Sequence, residues 1–386
     1  MPKIFTSGFI LALYANIALA EGLLGVSNPA KNEQSLGAYG EIEAFEGRDH
    51  NQLNDKWPRT LGSKDPNISI LFARAEMGVQ WHDWRLGVLH RGDALMYATR
   101  DAANLAQQNA NSSGYDANRT YTINYRIRGF EATGLKMSKS LEIPMGSTSW
   151  GTAWQLRGGV GVSVLRGKQL KQETISGSIV TSSTTDFTGN ARQYTANSAI
   201  NTADPNVFNA PYGKQLPFSG EGYAVDAGLV LKHEPTGALI EFAIADVAGS
   251  MDWYNVPNYD AALNTANKFY DANGYANFNP TATSISSYRN IHQTLDPKIR
   301  LAATYPWGAW QLQAAADHTQ GYSFLQTGVG YRITPNWLLQ ADYDWHYSTI
   351  GLGVKHPNFD LMLRSDSTQF DAAKAFGLQA KIHFSL

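Results

Sequence analysis

The C-terminal third of the chain alternates apolar and polar residues in successive segments of about ten residues. In residues 337–345, for example, Trp337, Leu339 and Tyr343 alternate with Gln340 and Asp342. Successive side chains of a β-strand point to opposite faces, so each segment has one apolar and one polar face. Segments of this length cross a bilayer when the strands are tilted. The alternation therefore predicts a set of membrane-spanning β-strands.

The connections between these segments fall into two groups that alternate along the chain. Tight turns are predicted at 81–84, 166–169, 234–237, 305–308, 334–336 and 356–358. The longer connections, at 49–68, 99–120, 185–220 and 251–295, all fall on the opposite side of the predicted sheet. Short turns on one side and long loops on the other are typical of outer-membrane barrels, with periplasmic turns and extracellular loops.

We predict an all-β fold: a single transmembrane antiparallel up-and-down β-barrel of about 16 strands, within a range of roughly 14–18. The predicted strands are 37–47, 69–81, 85–97, 121–130, 133–143, 149–165, 169–183, 221–233, 237–249, 296–305, 309–318, 321–333, 337–346, 348–355, 359–366 and 376–386. Trp307 and Trp310 lie near the short turns, and Trp345 and Tyr347 lie toward the long loops. Aromatic residues at both strand ends indicate two membrane interfaces.

Residues 1–20 have the pattern of a secretory signal peptide, with Lys3 before an apolar core and Ala18-Leu19-Ala20 as the cleavage site. We therefore divide the chain into a signal peptide (1–20), a short periplasmic N-terminal segment (21–36) and the barrel (37–386). Charged residues make up only 17% of the chain, below the roughly 25% of soluble domains. The absence of Cys excludes thiol catalysis and disulfides.

With these features the chain resembles the outer-membrane β-barrel superfamily, and more loosely its porin-sized members. The resemblance rests on the signal peptide, the strand-and-turn pattern and the closing strand 376–386, and it spans nearly all of the mature chain. The sequence departs from the family in ending on Leu386, where an aromatic residue is usual. The resemblance implies a place in the cell outer membrane. It also implies outer-membrane lipid, lipopolysaccharide and the barrel-assembly machinery as partners, and leaves the oligomeric state open.

A barrel in lipid turns its polar side chains inward, and a barrel of this strand number has room for a water-filled interior. The candidate lumen and selectivity residues are Arg74, Glu76, Arg126, Arg128, Arg157, Asp226, Glu241, Arg300, Asp317, Asp342, Asp344 and Arg364. One hypothesis sets a basic wall from the first half of the chain against an acidic wall from the second, which would select charged solutes. The other holds that these charges pair across neighbouring strands and simply keep the lumen hydrated.

The connection 251–295 is long and rich in aromatic residues, which argues against disorder. Its candidate constriction residues are Trp253, Tyr254, Tyr259, Phe269, Tyr270 and Tyr275. One hypothesis packs this connection into the barrel mouth, where it narrows the pore. The other makes it a self-packed extracellular cap without a ligand. The connection 185–220 is rich in Ser, Thr, Asn and Ala and is predicted to be a mobile surface loop.

The sequence gives little support for catalysis. A lipid-cleaving barrel would need a Ser–His pair with an orienting partner, for which His90, Ser163 and Ser323 are the candidates. No G-x-S-x-G or H-E-x-x-H motif supports them. We therefore predict no enzyme activity, no catalytic residues, no metal site and no cofactor. The net charge of −2 gives no reason to expect nucleic acid as a partner.

The leading functional hypothesis is a porin-like outer-membrane channel for passive or weakly selective passage of small hydrophilic, including charged, solutes. A first alternative is an export conduit or accessory barrel for a secreted polysaccharide or an envelope machine. A hydrophobic-solute transporter ranks lower, because the residues before the first strand are too few for a plug domain. A structural or adhesive barrel acting through its loops is a further alternative.

Overall fold

The computed structural model describes residues 23–31, 36–49, 52–53, 65–111, 113–145, 153–184, 187–200, 216–265, 268–270, 272–273, 275–278 and 281–385. The predicted signal peptide, 1–20, lies outside these residues. The strands are β1 Gly37–Arg48, β2 Asn67–Trp81, β3 Trp84–Ala98, β4 Thr120–Ile143, β5 Trp154–Thr181, β6 Phe187–Asn197, β7 Ser219–His233, β8 Ala238–Asn264, β9 Lys268–Tyr270, β10 Ala276–Phe278, β11 Ala282–Thr294, β12 Lys298–Trp307, β13 Trp310–Thr319, β14 Tyr322–Thr334, β15 Trp337–Asp344, β16 Ile350–His356, β17 Phe359–Ser365 and β18 Ala375–Ser385. One helix, α1 (Arg100–Asn111), follows β3.

Fourteen antiparallel strands close into a barrel, and the main sheet contains 16 strands in all. The wall runs β1–β5, β7, β8 and β12–β18. It closes where β1 pairs with β18, in a register that places Gly37 opposite Ser385 and Gly47 opposite Ala375. Closure leaves no unpaired edge in the lipid, as a membrane-spanning sheet requires. The predicted all-β barrel and its strand number are confirmed.

The distribution of the strands along the chain differs from the prediction at two places. No break separates 121–130 from 133–143, and the turn predicted at 166–169 is absent, because β4 and β5 are each continuous through these positions. Instead the register shifts: Gln169 pairs with Glu131, and Gly167 pairs with the next residue, Ala132. Lys168 is thus the extra residue of a β-bulge. Glycine beside charged residues suits a bulge as well as a turn, so the sequence pattern does not distinguish the two.

Two strands lie in connections that were predicted as loops. β6 lies within 185–220 and pairs with β5 and β8, and β11 lies within 251–295 and pairs with β8. β5 and β8 have 28 and 27 residues, far more than the roughly 9–11 that cross a bilayer. Their distal halves, with β6 and β11, therefore form a sheet that extends beyond the membrane on the side of the long connections.

The outer face of the wall is apolar. Exposed apolar residues alternate with buried ones along the strands, as where Met77 is 66% exposed beside Glu76 at 4%. Near the short turns Trp307, Trp310 and Trp337 are exposed outward, in agreement with an interfacial belt. At the opposite end Trp345 is exposed, whereas Tyr347 is buried inside the barrel. No helix in the described part of the chain is long and apolar enough to cross a membrane.

Residues 23–31, which we call the N-terminal segment from here on, lie inside the barrel. Leu23, Leu24 and Val26 are almost completely buried in a cluster with the barrel residues Phe45 and Phe324. The prediction of a short periplasmic segment at 21–36 is therefore corrected for residues 23–31, because their apolar side chains are buried against the inner wall. A short 3₁₀ turn, Pro29–Lys31, ends this stretch.

Candidate functional site: the barrel interior

The strand register places all twelve predicted lumen residues on inward-facing rows. Glu76 pairs with Glu41 and Leu89, and the inward row continues through Arg74 and its partners Glu43 and Arg91. The same alternation carries around the wall to β18. The inward residues are Arg74, Glu76, Arg126, Arg128, Arg157, Asp226, Glu241, Arg300, Asp317, Asp342, Asp344 and Arg364. The alternation of inward and outward residues along each strand was thus sufficient to predict the direction of these side chains.

Most of these charges pair with a near neighbour of opposite sign. Arg300 Nη1 lies 2.8 Å from Asp317 Oδ2 on the adjacent strand. Arg364 Nη2 lies 2.7 Å from Asp342 Oδ2, and Arg74 forms an ion pair with Glu76. A basic wall facing an acidic wall requires unpaired charges on each side. These contacts instead favour the hypothesis of local pairing.

A chain of buried ion pairs crosses the interior, and we call it the ionic belt. Its members are Arg91, Asp93, Lys136, Asp226, Asp246 and Lys298. The guanidinium of Arg91 donates two hydrogen bonds to Asp246, of 2.7 and 2.8 Å, and also pairs with Asp93. Asp93 in turn pairs with Lys298, so that β3 is joined to β8 and β12 on another part of the wall. The Asp246 backbone N–H donates to Asp226, which pairs with Lys136.

Only Asp226 of the belt residues is among the twelve predicted lumen and selectivity candidates. Asp246 occupies a left-handed backbone conformation, φ 58°, where the register between β7 and β8 shifts. Such an irregularity has no distinct signal in one sequence. Buried charges are stable only when they are paired, so the belt fixes these strands relative to one another.

The half of the interior nearest the short turns contains a polar cavity of about 730 Å³, which we call the vestibule. Its wall includes turn residues such as Gly237 and Pro357, which place it at the end of the short turns. The predicted lumen residues in its lining are Arg157, Glu241, Arg300, Asp342 and Arg364. The rest of the lining is rich in glutamine. Water and small polar solutes fit such a space.

The other half of the interior is closely packed, with two apolar clusters beside the ionic belt. One cluster joins Leu23 and Leu24 to Phe45, Phe324 and Tyr347. A second cluster, nearer the projecting sheet, surrounds the fully buried Trp253. A small cavity of about 60 Å³ remains. Its lining includes Leu24, Phe72, Leu95, Phe130 and Leu295, with Arg128 and Lys298 among the polar groups.

The N-terminal segment is held to the wall by specific polar contacts. The Leu23 N–H donates to Asp317 Oδ2 over 3.1 Å. The Asn28 amide donates to the carbonyl oxygens of Leu229, at 3.1 Å, and Phe242, at 3.4 Å. At the C-terminal end of the segment, the Lys31 ammonium lies 2.6 Å from the Glu241 carboxylate. The segment therefore runs through the lumen between β13 and the β7–β8 hairpin.

Two glycines of the wall make room for this segment. A Cβ at Gly228 would lie 2.0 Å from Asn28 Oδ1, and one at Gly159 would lie 2.3 Å from the Ala30 nitrogen. Both distances are shorter than real contacts, so a side chain at either position would displace the segment. The close approach explains why glycine stands within these strands.

The predicted constriction residues whose side chains the structure describes, Trp253, Tyr254, Tyr259 and Tyr275, do not converge on one constriction. Trp253 points into the interior, where it stacks on Phe218 at 5.7 Å and donates a hydrogen bond to Gln293. Tyr254 donates to Glu221 and Tyr259 accepts from Gln193 at the projecting sheet. Tyr275 is exposed, and Phe269 and Tyr270 belong to β9. The connection thus forms a sheet, from which Trp253 packs into an interior cluster together with Met251 and Val256.

An ion pair on the projecting sheet stabilises its outer strands. Arg192 on β6 donates to both oxygens of Asp260 on β8, with the first bond at 2.9 Å. These hydrogen bonds lower the pKa of the Asp260 carboxyl below its ordinary value. The contact therefore persists at neutral pH and depends on the ionised carboxylate.

The candidate catalytic residues do not form a complete site. His90 lies 3.7 Å from Glu131 on the outer face, whereas Ser163 is buried on the inner face. His318 and Ser323 are hydrogen-bonded at 2.9 Å on the outer face, but the contacts described for His318 include no carboxylate. In the described residues no cluster of His, Asp and Glu could hold a metal ion.

Comparison with known proteins gives structural likenesses only. No protein-family model matches the chain, and no curated protein matches it. Among solved structures, a mutant of the TodX monoaromatic hydrocarbon channel matches with a TM-score of 0.43 and 12% identity, over 93% of this chain and 92% of that one. Outer membrane phospholipase A from Escherichia coli matches with a TM-score of 0.24 and 11% identity, over 90% of both chains. OccAB3 from Acinetobacter baumannii matches with a TM-score of 0.20 and 10% identity, over 91% of this chain and 99% of that one.

A closed antiparallel barrel with an apolar outer face is the architecture of membrane-spanning β-barrels. The chain has this fold. Identities near these values carry no information about solute or chemistry. The function must therefore be argued from the interior of this barrel.

Proposed function

We propose that the protein is an outer-membrane channel for small hydrophilic solutes that its own N-terminal segment holds closed. The observation behind this proposal is the position of residues 23–31. They separate a polar vestibule of about 730 Å³ from the extracellular half of the barrel. A permanently open pore would have no such segment, and a purely structural barrel would have no need of a large polar cavity.

Undocking of the segment would open a path along the polar wall. The segment is attached by side-chain contacts at three points, Leu23, Asn28 and Lys31, and not by strand pairing. Such contacts exchange more readily than a sheet ladder does. Movement of a short plug between two positions is a known means of gating.

A disulfide lock tests this mechanism. A Cβ at Gly228 would lie 2.8 Å from Asn28 Cγ, which indicates a Cβ–Cβ separation suited to a disulfide. The chain contains no other Cys, so the double variant Asn28→Cys/Gly228→Cys forms one defined bond. We expect the oxidised variant to be silent in planar bilayers and the reduced variant to conduct.

The single variants Asn28→Cys and Gly228→Cys are the matched controls, since oxidation cannot close them. Equal conductance of the oxidised and reduced double variant would refute the gating role of the segment. If the reduced variant and the wild-type protein both failed to conduct, and failed to swell solute-loaded vesicles, the proposal of a hydrophilic channel would be wrong.

A second candidate is passage of small apolar or amphipathic solutes. The small cavity of about 60 Å³ beside Phe72, Leu95 and Phe130 favours it, because most of the surface that lines this cavity is apolar. The sequence analysis ranked this function lower because too few residues precede the first strand to form a plug domain. Residues 23–31 nevertheless occupy the lumen, so this objection no longer applies. Saturation-transfer NMR with benzene would test it: loss of the signal in Leu95→Asn, but not in the outward-facing Leu363→Asn, is the expected result.

A further inference from the structure

The lining of the vestibule carries an excess of positive charge. Among the described residues it includes nine Lys and Arg side chains but only four carboxylates, Glu41, Glu241, Asp342 and Asp360. The whole chain has 31 basic and 33 acidic residues, so its composition does not explain the excess. In the ionic belt, by contrast, three cations face three carboxylates. Positive charge is thus concentrated in the half of the interior nearest the short turns.

Some of these cations have a carboxylate partner that lies outside the vestibule lining. Arg300 lines the vestibule, whereas its partner Asp317 is only 1% exposed and does not. Arg157 also lines it, and its partner Asp83, at 3.3 Å, does not. Such pairs balance the charge of the barrel as a whole but present their cationic member to the cavity. Local pairing of charges is therefore compatible with a positive vestibule.

Three cations of the lining share one row of the wall, and we call Arg332, Lys355 and Lys381 the basic row. The register aligns Arg332 on β14 with Leu338 on β15, Lys355 on β16, Asp360 on β17 and Lys381 on β18. Five adjacent strands thus contribute three cations and a single carboxylate at one level. These strands belong to the second half of the chain, where one hypothesis from the sequence set an acidic wall.

Two members of the basic row are accessible to a solute. Arg332 is exposed and forms no ion pair within the described part of the chain. The Lys355 side chain is 51% exposed, and its Nζ atom lies 3.8 Å from Asp360 Oδ2, beyond the roughly 3.2 Å of a hydrogen bond. Because Leu338 separates the two residues, their backbones are two strand spacings apart, about 10 Å. Long cationic side chains at this spacing suit a solute with more than one anionic group.

We propose that the vestibule is a binding site for small organic anions with two or more negative charges, and that the basic row holds them. A cavity lined by an excess of one charge sign, within low-dielectric walls, concentrates solutes of the opposite sign. Arg and Lys side chains select anions in pores by the same attraction. A volume of about 730 Å³ falls within the range of small-molecule sites, roughly 300–1,000 Å³. The inference rests on the proposed channel function in one respect, that the bound anion is a solute the barrel passes.

Equilibrium dialysis of the full chain in a nonionic detergent against radiolabelled citrate tests the site directly. We expect saturable binding by the wild-type protein and at least a tenfold loss of affinity in Arg332→Gln/Lys355→Gln. The matched control is Arg166→Gln/Lys168→Gln, which removes one Arg and one Lys from exposed positions outside the vestibule lining. This control has the same net charge as the double variant and should bind citrate as the wild type does.

Competition experiments identify the chemistry that is recognised. Pyrophosphate should displace citrate, since both carry several negative charges, whereas sucrose should not. Binding should also weaken as salt is raised toward about 1 M, where the Debye length falls to about 3 Å. Displacement of citrate by sucrose as effective as that by pyrophosphate would show that charge is not what the vestibule recognises.

Absence of saturable citrate binding by the wild-type protein, or equal affinity in Arg332→Gln/Lys355→Gln, would overturn the proposal. An equal loss of affinity in the matched control would also overturn it, because net charge and not the basic row would then be responsible. Heat-modifiable migration on gels confirms that each variant is folded. Dialysis requires no conductance and the disulfide lock uses no organic anion, so failure of the binding site and failure of the channel are seen separately.

Discussion

Weakening the contacts of the N-terminal segment should open the barrel by an amount that its burial predicts. Leu23 is fully buried and Leu24 is 3% exposed. A buried Leu→Ala substitution costs about 2–5 kcal/mol. Because neighbouring sites do not add fully, we take the lower end of the sum, about 4 kcal/mol, for Leu23→Ala/Leu24→Ala. Every 1.4 kcal/mol is a factor of ten, so the undocked fraction should rise by about three orders of magnitude.

Single-channel recording in planar bilayers measures this change as open probability. The matched control is Leu361→Ala/Leu363→Ala, which removes the same atoms from the lipid-facing side of the wall, where these residues are 46% and 48% exposed. We expect rare openings in the wild-type protein and in the control, and long openings in the segment variant. An open probability that is the same in all three proteins would show that the segment does not close the barrel.

Three further predictions concern the wall and the projecting sheet. Gly228→Val should displace Asn28 and raise open probability, whereas Gly40→Val, whose Cβ would have no neighbour within 4 Å, should not; bilayer recording decides between them. Arg364→Met leaves Asp342 buried without its partner and should cost about 3–5 kcal/mol in urea unfolding followed by Trp fluorescence. Arg364→Met/Asp342→Leu should recover most of that loss, and a double variant as unstable as the single one would contradict the pairing. The lowered pKa of Asp260 stabilises the projecting sheet above the carboxyl's unfolded pKa, and this stability is lost as pH falls through the lower folded pKa. After correction for the slower intrinsic exchange in acid, the hydrogen-exchange protection of β6 amides should therefore decrease at low pH, and an Asp260→Asn variant should not show that decrease.

Much of the barrel could be predicted because one face of each strand contacts lipid and the other faces the polar interior. Apolar and polar residues therefore alternate along the strand with a period of two. The prediction placed β2 at 69–81 and β14 at 321–333, and the structure has Asn67–Trp81 and Tyr322–Thr334. Beyond the membrane this constraint ends. There β6 and β11 lie in connections that the pattern predicted as loops.

The direction of the charged side chains could be predicted, but their partners could not. The alternation of residues along the strands was enough to predict that Arg300 and Asp317 point into the barrel interior. The contact of Arg91 with Asp246 joins strands that are not neighbours, and it depends on a bulge and on the closed shape of the wall. The N-terminal segment was missed because a plug was assumed to need a domain. Phe45, Phe324 and Tyr347 already fill much of the interior, so nine residues complete the closure.

The residues that bind the N-terminal segment determine when this segment can dock during assembly of the barrel. Leu23 binds Asp317, which lies 294 positions further along the chain, and Asn28 binds carbonyls of β7 and β8. Residues 23–31 thus find their places only after strands near the end of the chain have been inserted. Contacts of such long separation form late in folding. Under the proposed gating, a newly assembled barrel therefore passes through a leaky stage, and the seal formed by residues 23–31 is the last part of the molecule to form.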